Sequence, residues 1–434
     1  MIPELEKINA DEVAKVQSQK LRELVFYTYK NSTYYRSKYD ALGVVPDAIK
    51  NIDDLQKLPL TTKDDLQKFN DDFICVNRSQ IADYVTTSGT SGRPVTFALS
   101  DKDLDRLAYN EFLSLTCAGV TTDDVVQLTT TIDKRFMAGL AYFLGIRKIG
   151  ASVIRVGAGV PELQWDSIHR FEPTYLIAVP SFILKLIEYA EANGIDVNKS
   201  SLKGIVCIGE PIRNQNFQPN PLAKKILDKW DINLYSTYAS TEMSTSFTEC
   251  KYQKGGHHHP ELIIVEVLDE DNNPVLPGAY GEMVVTTLDV EAMPLIRFKT
   301  GDIVRLEEGA CECGRTSKRV SPVFGRKNQM IKYKGTTLYP PAIIDLLNDI
   351  EEISDNVVEL STNDIGTDSL LVKVYSTHDR ESLKQKIQSH FRSQLRVTPE
   401  ITFVSKEELD AIKHNENQRK PIVFLDKREK NLIK

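Results

Sequence analysis

No stretch of the 434 residues approaches the roughly 20 consecutive apolar side chains of a membrane span, so a membrane partner is not expected. The opening residues, Met-Ile-Pro-Glu-Leu-Glu, are polar and acidic and lack the apolar core of a secretory leader. Six cysteines in a chain this long do not make a disulfide framework, and the cytoplasm is the expected location. Positive charge is also short. Lys and Arg number 54 against 61 Asp and Glu, and the net charge of −7 argues against a nucleic-acid binder. A local pocket for a single nucleotide remains compatible with that balance. There is no internal repeat and no low-complexity tract. A chain of 434 residues exceeds one compact core, so two or three domains are expected.

Against this ordinary background one loop stands out: Ser88-Gly89-Thr90-Ser91-Gly92-Arg93-Pro94, between an apolar approach at 81–85 and a strand-like stretch at 95–99. Two glycines and three hydroxyls in five residues can lay backbone N–H groups and hydroxyls around an anion such as phosphate. The same run alone also reads as a surface turn. It is not a Walker A loop, because Arg93 and Pro94 follow the second glycine where Lys and Ser or Thr would be needed.

Periodicity predicts an amphipathic helix over 11–30, and Thr62 is placed to cap a helix starting near Lys63. From about 100 to 245, strand candidates at 124–128, 152–156, 175–179, 204–208 and 233–235 alternate with helix candidates at 101–118, 136–149 and 180–193. That alternation predicts an α/β layered domain. From about 247 to 325 the pattern turns all-β, with strands expected at 261–268, 281–288 and 302–307. The last hundred residues predict a β-β-α-β unit: strands at 356–361, 369–375 and 400–404, and a helix carrying Leu383, Ile387, Phe391 and Leu395.

Five further segments follow the first loop in order: Ile208-Gly209-Glu210-Pro211, Tyr238-Ala239-Ser240-Thr241-Glu242, Pro294 to Asp302 ending in Thr-Gly-Asp, Gly325-Arg326-Lys327-Asn328, and Arg419-Lys420-Pro421. Together they resemble the adenylate-forming acyl-CoA ligases, most closely the phenylacetate–CoA ligase-like branch, along essentially the whole chain. The resemblance implies a large N-terminal adenylation domain, 1–325, of α/β layers plus a β-rich part at about 247–325. A small, mobile α+β C-terminal domain, 326–434, would follow. It implies that a carboxylic acid is joined to AMP from ATP, with release of pyrophosphate, and then passed to the thiol of coenzyme A. Residue by residue, it implies that Ser88, Gly89, Thr90, Ser91 and Gly92 hold the ATP phosphates. Gly209, Glu210, Pro211, Tyr238, Ala239 and Ser240 would line the adenine slot. Thr241 would sit near the α-phosphate and Glu242 would hold Mg²⁺, a hard cation suited to oxygen ligands. Asp302 would accept hydrogen bonds from the ribose hydroxyls. Arg326 would contact the nucleotide, Asn328 falls at the hinge, and Lys420 would supply the cation between the attacking carboxylate and the α-phosphate. Asn328 departs from the Asp or Lys usual at that hinge.

Cys250, the triplet His257-His258-His259, Cys311 and Cys313 offer three thiolates and an imidazole, the donor set of a closed tetrahedral Zn²⁺ site. Reduced surface cysteines beside a His-rich turn are the plainer alternative. Some members of the resembled branch carry a similar set, in which register His257 is the ligand and His259 the second choice; the zinc would be structural.

The acyl pocket is expected near Asp133 and Phe136. Phe136 suits an aryl or arylalkyl acid, whereas Asp133 stands where the branch places an aromatic. Two other readings share the same adenylation residues: transfer to an acyl carrier protein instead of coenzyme A, and a degenerate relative that only binds nucleotide. A homodimer is implied by resemblance alone.

Overall fold

The computed structural model describes residues 2–87, 94–333, 336–363, 368–413 and 422–428. The chain divides into two compact units, residues 1–300 with 304–322, and residues 301–303 with 323–434.

The larger unit begins with α1 (Ala10–Asn31), α2 (Thr33–Leu42) and α3 (Lys63–Lys68). Asn9 caps α1 by accepting from the Glu12 amide at 3.0 Å, and Thr62 and Asp65 form a reciprocal capping box on α3. An antiparallel pair follows, β1 (Ile81–Thr86) and β2 (Thr96–Ser100). The alternating region then runs α4 (Asp101–Cys117), β3 (Val125–Leu128), α5 (Met137–Ile149), β4 (Ser152–Arg155), α6 (Pro161–Phe171), β5 (Tyr175–Ala178), α7 (Pro180–Ala192), β6 (Gly204–Cys207), α8 (Pro221–Leu227), β7 (Asn233–Ser240) and β8 (Thr245–Thr248).

These strands form one sheet in the order β4-β3-β5-β6-β7-β8, parallel from β4 to β7 with β8 antiparallel at the edge. The central strands, Tyr-Leu-Ile-Ala and Gly-Ile-Val-Cys, are buried throughout, which is why they read as unbroken apolar runs. Alternate residues feed two cores. Leu176, Ala178, Ile205 and Cys207 pack with Trp165 of α6 and Ile183 and Leu186 of α7, together with Ile226 of α8. Tyr175, Ile177 and Val206 pack with Leu115 of α4 and Ile146 of α5. The sheet is therefore wound on both faces. In the first core Trp165 and Trp230 stack with ring centroids 5.8 Å apart, and the Trp165 indole donates to the Leu186 carbonyl at 2.9 Å.

Helix α4 is polar where it meets β8. Buried Glu111 accepts from Asn110 Nδ2 at 3.0 Å and from Ser246 Oγ at 3.1 Å, and Ser246 Oγ lies 3.0 Å from Ser114 Oγ, whose hydroxyl can donate to it. Buried Arg106 donates to the carbonyls of Leu288, Ser244 and Leu262 at 2.5–2.6 Å, clamping α4 onto the β-rich region. That region holds β9 (Gly256–His257), β10 (Ile263–Leu268), β11 (Gly281–Thr287), β12 (Phe298–Val304), β13 (Leu306–Glu307) and β14 (Arg319–Val320).

The smaller unit contains β15 (Gly325–Arg326), the hairpin β16 (Ile331–Tyr333) and β17 (Thr336–Leu338), α9 (Pro340–Asn348), β18 (Asp355–Thr362), β19 (Asp368–Tyr375), α10 (Arg380–Leu395), β20 (Glu400–Phe403), α11 (Lys406–Lys413) and β21 (Phe424–Asp426). Its sheet runs β20-β19-β18-β21. Leu383, Ile387 and Phe391 of α10 and Ile343 and Leu347 of α9 cover Val358, Leu360, Leu370 and Val372.

Several sequence expectations need correction. Helix α2, helix α6 between β4 and β5, and α8, α9 and α11 were not among the expected helices. Strand β7 continues through Ser240, so Tyr238, Ala239 and Ser240 lie on the strand and not in a loop after it. Strand β12 starts at Phe298, which puts Asp302 inside the strand and not at its beginning.

Candidate functional site

In a parallel sheet all strands end on the same side, and the crevice lies where successive connections diverge. Here the chain leaves β3 for β4 on one side, then returns through α6 to β5 on the other. The segments after β3 and β5 flank that switch point, while those after β6 and β7 lie at the same end of the neighbouring strands. The segments carrying Asp133 and Phe136, Gly209 to Pro211, and Thr241 and Glu242 therefore all emerge at the carboxyl end of the sheet.

After β6 the backbone turns through Gly209 at φ +73°, a left-handed conformation that favours glycine. Glu210 then reaches back to the start of α7, accepting from the Ser181 amide at 2.8 Å and from Ser181 Oγ at 2.9 Å. A carboxylate suits that helix N-terminus, and the bonds fix the Gly209–Pro211 turn. Beyond it Arg213 forms a fully buried pair with Glu249, with Nε 3.2 Å from Oε2, while its Nη2 donates to the Leu234 carbonyl at 2.8 Å. Burial pushes the Glu249 carboxyl up despite that partner.

On β7, Tyr238 stacks on Phe247 of β8 at 6.1 Å. Thr241 to Ser244 make the tight turn into β8. The Met243 amide donates to Ser240 Oγ at 3.3 Å and the Ser244 amide to the Thr241 carbonyl at 3.3 Å. Glu242 Oε1 lies 4.0 Å from Lys63 Nζ at the first position of α3. Lys63 was legible only as a helix start; its contact with Glu242 is tertiary and carries no sequence signal. A single partly exposed carboxylate fits Mg²⁺, which is commonly held by one or two carboxylates plus phosphate oxygens and water.

Asp133 is exposed, and its carboxylate accepts from the Thr131 hydroxyl. Lys134 and Arg135 both take positive φ, and Phe136, 39% exposed, leads into α5. Gly139, one turn into α5, comes so close to this loop that a Cβ there would lie 1.9 Å from the Thr131 carbonyl oxygen.

In the smaller unit, Asp302 on β12 faces Arg326 on β15, with Arg326 Nε 3.3 Å from Asp302 Oδ1. Gly301 just before it has φ +77°. Asn328 lies in the single turn Lys327–Gln329. Ser88, Gly89, Thr90, Ser91 and Gly92, and Lys420, lie outside the described residues.

Cys250, His257, Cys311 and Cys313 place their ligand atoms within 4.8 Å of one another. Cys250 Sγ is 3.7 Å from Cys311 Sγ, and Cys313 Sγ is 3.5 Å from His257 Nε2. Metal bonds of about 2.3 Å to sulfur and about 2.0–2.1 Å to nitrogen give tetrahedral edges of about 3.8 Å between sulfurs and about 3.5–3.6 Å between sulfur and nitrogen, close to these separations, so the donor set fits zinc. Burial holds the His257 imidazole down at about 3, which keeps it neutral and able to ligate. Burial opposes ionisation of the Cys311 thiol, yet hydrogen bonds from the Cys313 amide and from Cys313 and Cys250 bring it below the ordinary range. His259 faces the other way, onto Glu6, and His258 Nε2 meets the Ile263 carbonyl oxygen at 2.6 Å. A cavity of about 320 Å³ borders this cluster, lined by Cys250 and Cys313 together with Cys117 and Arg315.

Residues 20–290 match the family described as AMP-binding enzyme. The phenylacetate-coenzyme A ligase of Aromatoleum evansii is 31% identical over 378 residues, covering 85% of this chain and 83% of that protein. The phenylacetate-coenzyme A ligase of Thermus thermophilus is 28% identical over 427 residues, covering 93% and 94%. Among solved structures, 2-hydroxyisobutyryl-CoA ligase in its postadenylation state superposes with a TM-score of 0.84 at 23% identity, over 98% of this chain and 91% of that one.

Proposed function

Because the chain belongs to the AMP-binding enzymes, in their phenylacetate–CoA ligase-like branch, and is an AMP-forming acid–CoA ligase, we propose that it activates an aryl or arylalkyl carboxylate resembling phenylacetate. Its substrates are ATP, the acid and coenzyme A. In the first half-reaction a carboxylate oxygen attacks the α-phosphorus of ATP, the bond to the bridging oxygen breaks, and pyrophosphate leaves. In the second the coenzyme A sulfur attacks the acyl carbon and AMP leaves with its oxygen, giving the thioester.

The observation that carries this reading is the row of segments at the carboxyl ends of β3, β6 and β7, beside the switch point of a doubly wound sheet. Gly209 to Pro211 and Tyr238 to Ser240 would flank the adenine, with Glu210 held against α7 so that the turn keeps its shape. Thr241 would meet the α-phosphate. Glu242 would hold Mg²⁺, which supplies charge neutralisation on the phosphates. Asp302 would bind the ribose hydroxyls, steadied by Arg326 across the strand pair. Ser88 to Gly92 would hold the departing pyrophosphate. Lys420 would act as a point charge between acid and α-phosphate. Residues 326–434 would work as a mobile domain turning about Asn328. Phe136 would meet the acyl group, with Asp133 at the outer rim of that pocket. A zinc ion held by Cys250, His257, Cys311 and Cys313 would be structural, since four protein ligands leave no open position. Thiols kept free for such a site suit the cytoplasm, and no described helix is long and apolar enough to cross a membrane.

ATP–pyrophosphate exchange over a panel of carboxylic acids, followed by coenzyme A consumption, tests the proposal. Exchange should be strongest with aryl and arylalkyl acids, and Lys420→Ala should abolish it while still forming thioester from supplied acyl-adenylate. Exchange confined to short aliphatic acids would overturn the substrate class. Equal loss of both half-reactions would remove Lys420 from its role, and exchange without coenzyme A consumption would redirect the acyl group to a carrier protein.

A further inference from the structure

Glu6 is a carboxylate with no access to solvent. Its Oε1 meets His259 Nδ1 at 2.5 Å, and its Oε2 accepts from Arg315 Nε at 2.5 Å. Burial alone would raise its carboxyl, yet His259 and Arg315 hold it down at about 2. The main chain beside it is tied as well. The Thr316 amide donates to the Glu6 carbonyl at 2.7 Å, and Thr316 Oγ1 donates to the Ile8 carbonyl at 2.7 Å.

The partners of Glu6 are not scattered. His259 comes two residues after His257, and Arg315 comes two residues after Cys313. One carboxylate therefore spans the same two loops, 250–259 and 311–315, that supply the four ligand atoms. Arg315 also points Nη1 at Cys313 Sγ, at 3.6 Å, so its guanidinium lies between a ligand sulfur and Glu6.

We infer that Glu6 is the outer clasp of the metal centre, a positioning residue for its ligands, and that metal binding holds the segment around Glu6 in place. The inference rests on the zinc reading above. A metal closes the gap between the two loops from one side, and Glu6 closes it from the other. Each requires the loop spacing that the other stabilises. Linkage then makes the effect reciprocal: whatever factor Glu6 adds to metal affinity, the metal adds to the docking of Glu6. Outer carboxylates that orient ligands in this way commonly contribute about 10–100-fold to metal affinity.

Two measurements on the full chain test this. Zinc affinity is measured by competition with a chromophoric chelator for wild type, Glu6→Ala and Glu4→Ala, the last removing an exposed acid of the same turn. Hydrogen exchange at the Thr316 amide, which donates to Glu6, is followed in wild type with zinc, after chelation, and after zinc is restored. Glu6→Ala should weaken zinc binding by about 10–100-fold and Glu4→Ala should leave it unchanged. Chelation should speed exchange at Thr316 and zinc should reverse it. Thr316 exchange that ignores chelation overturns the inference even if Glu6→Ala fails to fold, as does a folded Glu6→Ala with zinc affinity within about twofold of wild type. Wild type that binds no zinc overturns the centre and the clasp together. Wild type that binds zinc without a contribution from Glu6 overturns the clasp alone.

Discussion

Replacing Glu111 with Gln should stabilise this protein, and increasingly so as pH rises. Glu111 is buried between α4 and β8, where burial pushes its carboxyl up to about 8 even though Ser246 and Asn110 donate to it. Tyr142 of α5, itself buried and raised, also feels the Glu111 charge. The folded state thus keeps a proton that the unfolded chain releases near the ordinary value of 4.5. Between those two values the unfolded state binds fewer protons than the folded one, so stability must fall as pH rises. The gap from 4.5 to about 8, at about 1.4 kcal/mol per pH unit, corresponds to a loss on the order of 4 kcal/mol accumulated by pH 8. Gln has the same shape, accepts the same hydrogen bonds through its carbonyl oxygen, and does not titrate. The two proteins should melt together near pH 5 and separate progressively, with Glu111→Gln higher by on the order of 5–10 °C at pH 8. Calorimetric scans at intervals from pH 5 to 9 read this directly. A constant offset between the two across that range, or a variant that melts lower at pH 8, would refute a neutral buried carboxyl.

Gly139→Ala should disturb the acid and spare ATP. A Cβ 1.9 Å from the Thr131 carbonyl oxygen forces the 129–136 loop to move, so KM for the acid should rise by at least about tenfold at constant KM for ATP. An unchanged acid KM in folded protein removes that loop from the acyl pocket. Arg213→Met should cost about 3–5 kcal/mol, because it strands Glu249 in the interior, and the double replacement Arg213→Met with Glu249→Met should recover most of that. Chemical denaturation of the two single variants and the double variant checks it; a double variant as unstable as Arg213→Met would place the cost elsewhere.

The sheet was legible because its strands are short, apolar and bounded by turns; α1 was marked by its apolar spacing and α3 by the cap at Thr62. Helix α6 was also inferable, by topology: β3, β4 and β5 are parallel, and a parallel neighbour needs a crossover of a dozen residues. Its own pattern is weak, since Leu163 and Phe171 are exposed while Gln164 and Ser167 are buried. Polar residues in the interior defeat a reading based on hydrophobic period. Gly209, in the left-handed turn after β6, and Thr241, in the turn after β7, belong to short motifs visible in the sequence. Lys63 against Glu242, Arg213 against Glu249, and Glu6 against Arg315 are separated by 179, 36 and 309 residues. Nothing in a single sequence marks such pairs.

The stacked indoles of Trp165 and Trp230 have an optical consequence. They are the two tryptophans of the chain, and both sit in one core of the larger unit. Intrinsic tryptophan emission is therefore a probe with a single address. It will report the loosening of the α6–α7–α8 layer and stay dark to unfolding that begins around α9 and α10. A fluorescence melt and a calorimetric melt of this protein need not coincide, and the interval between them would measure how independently the smaller unit comes apart.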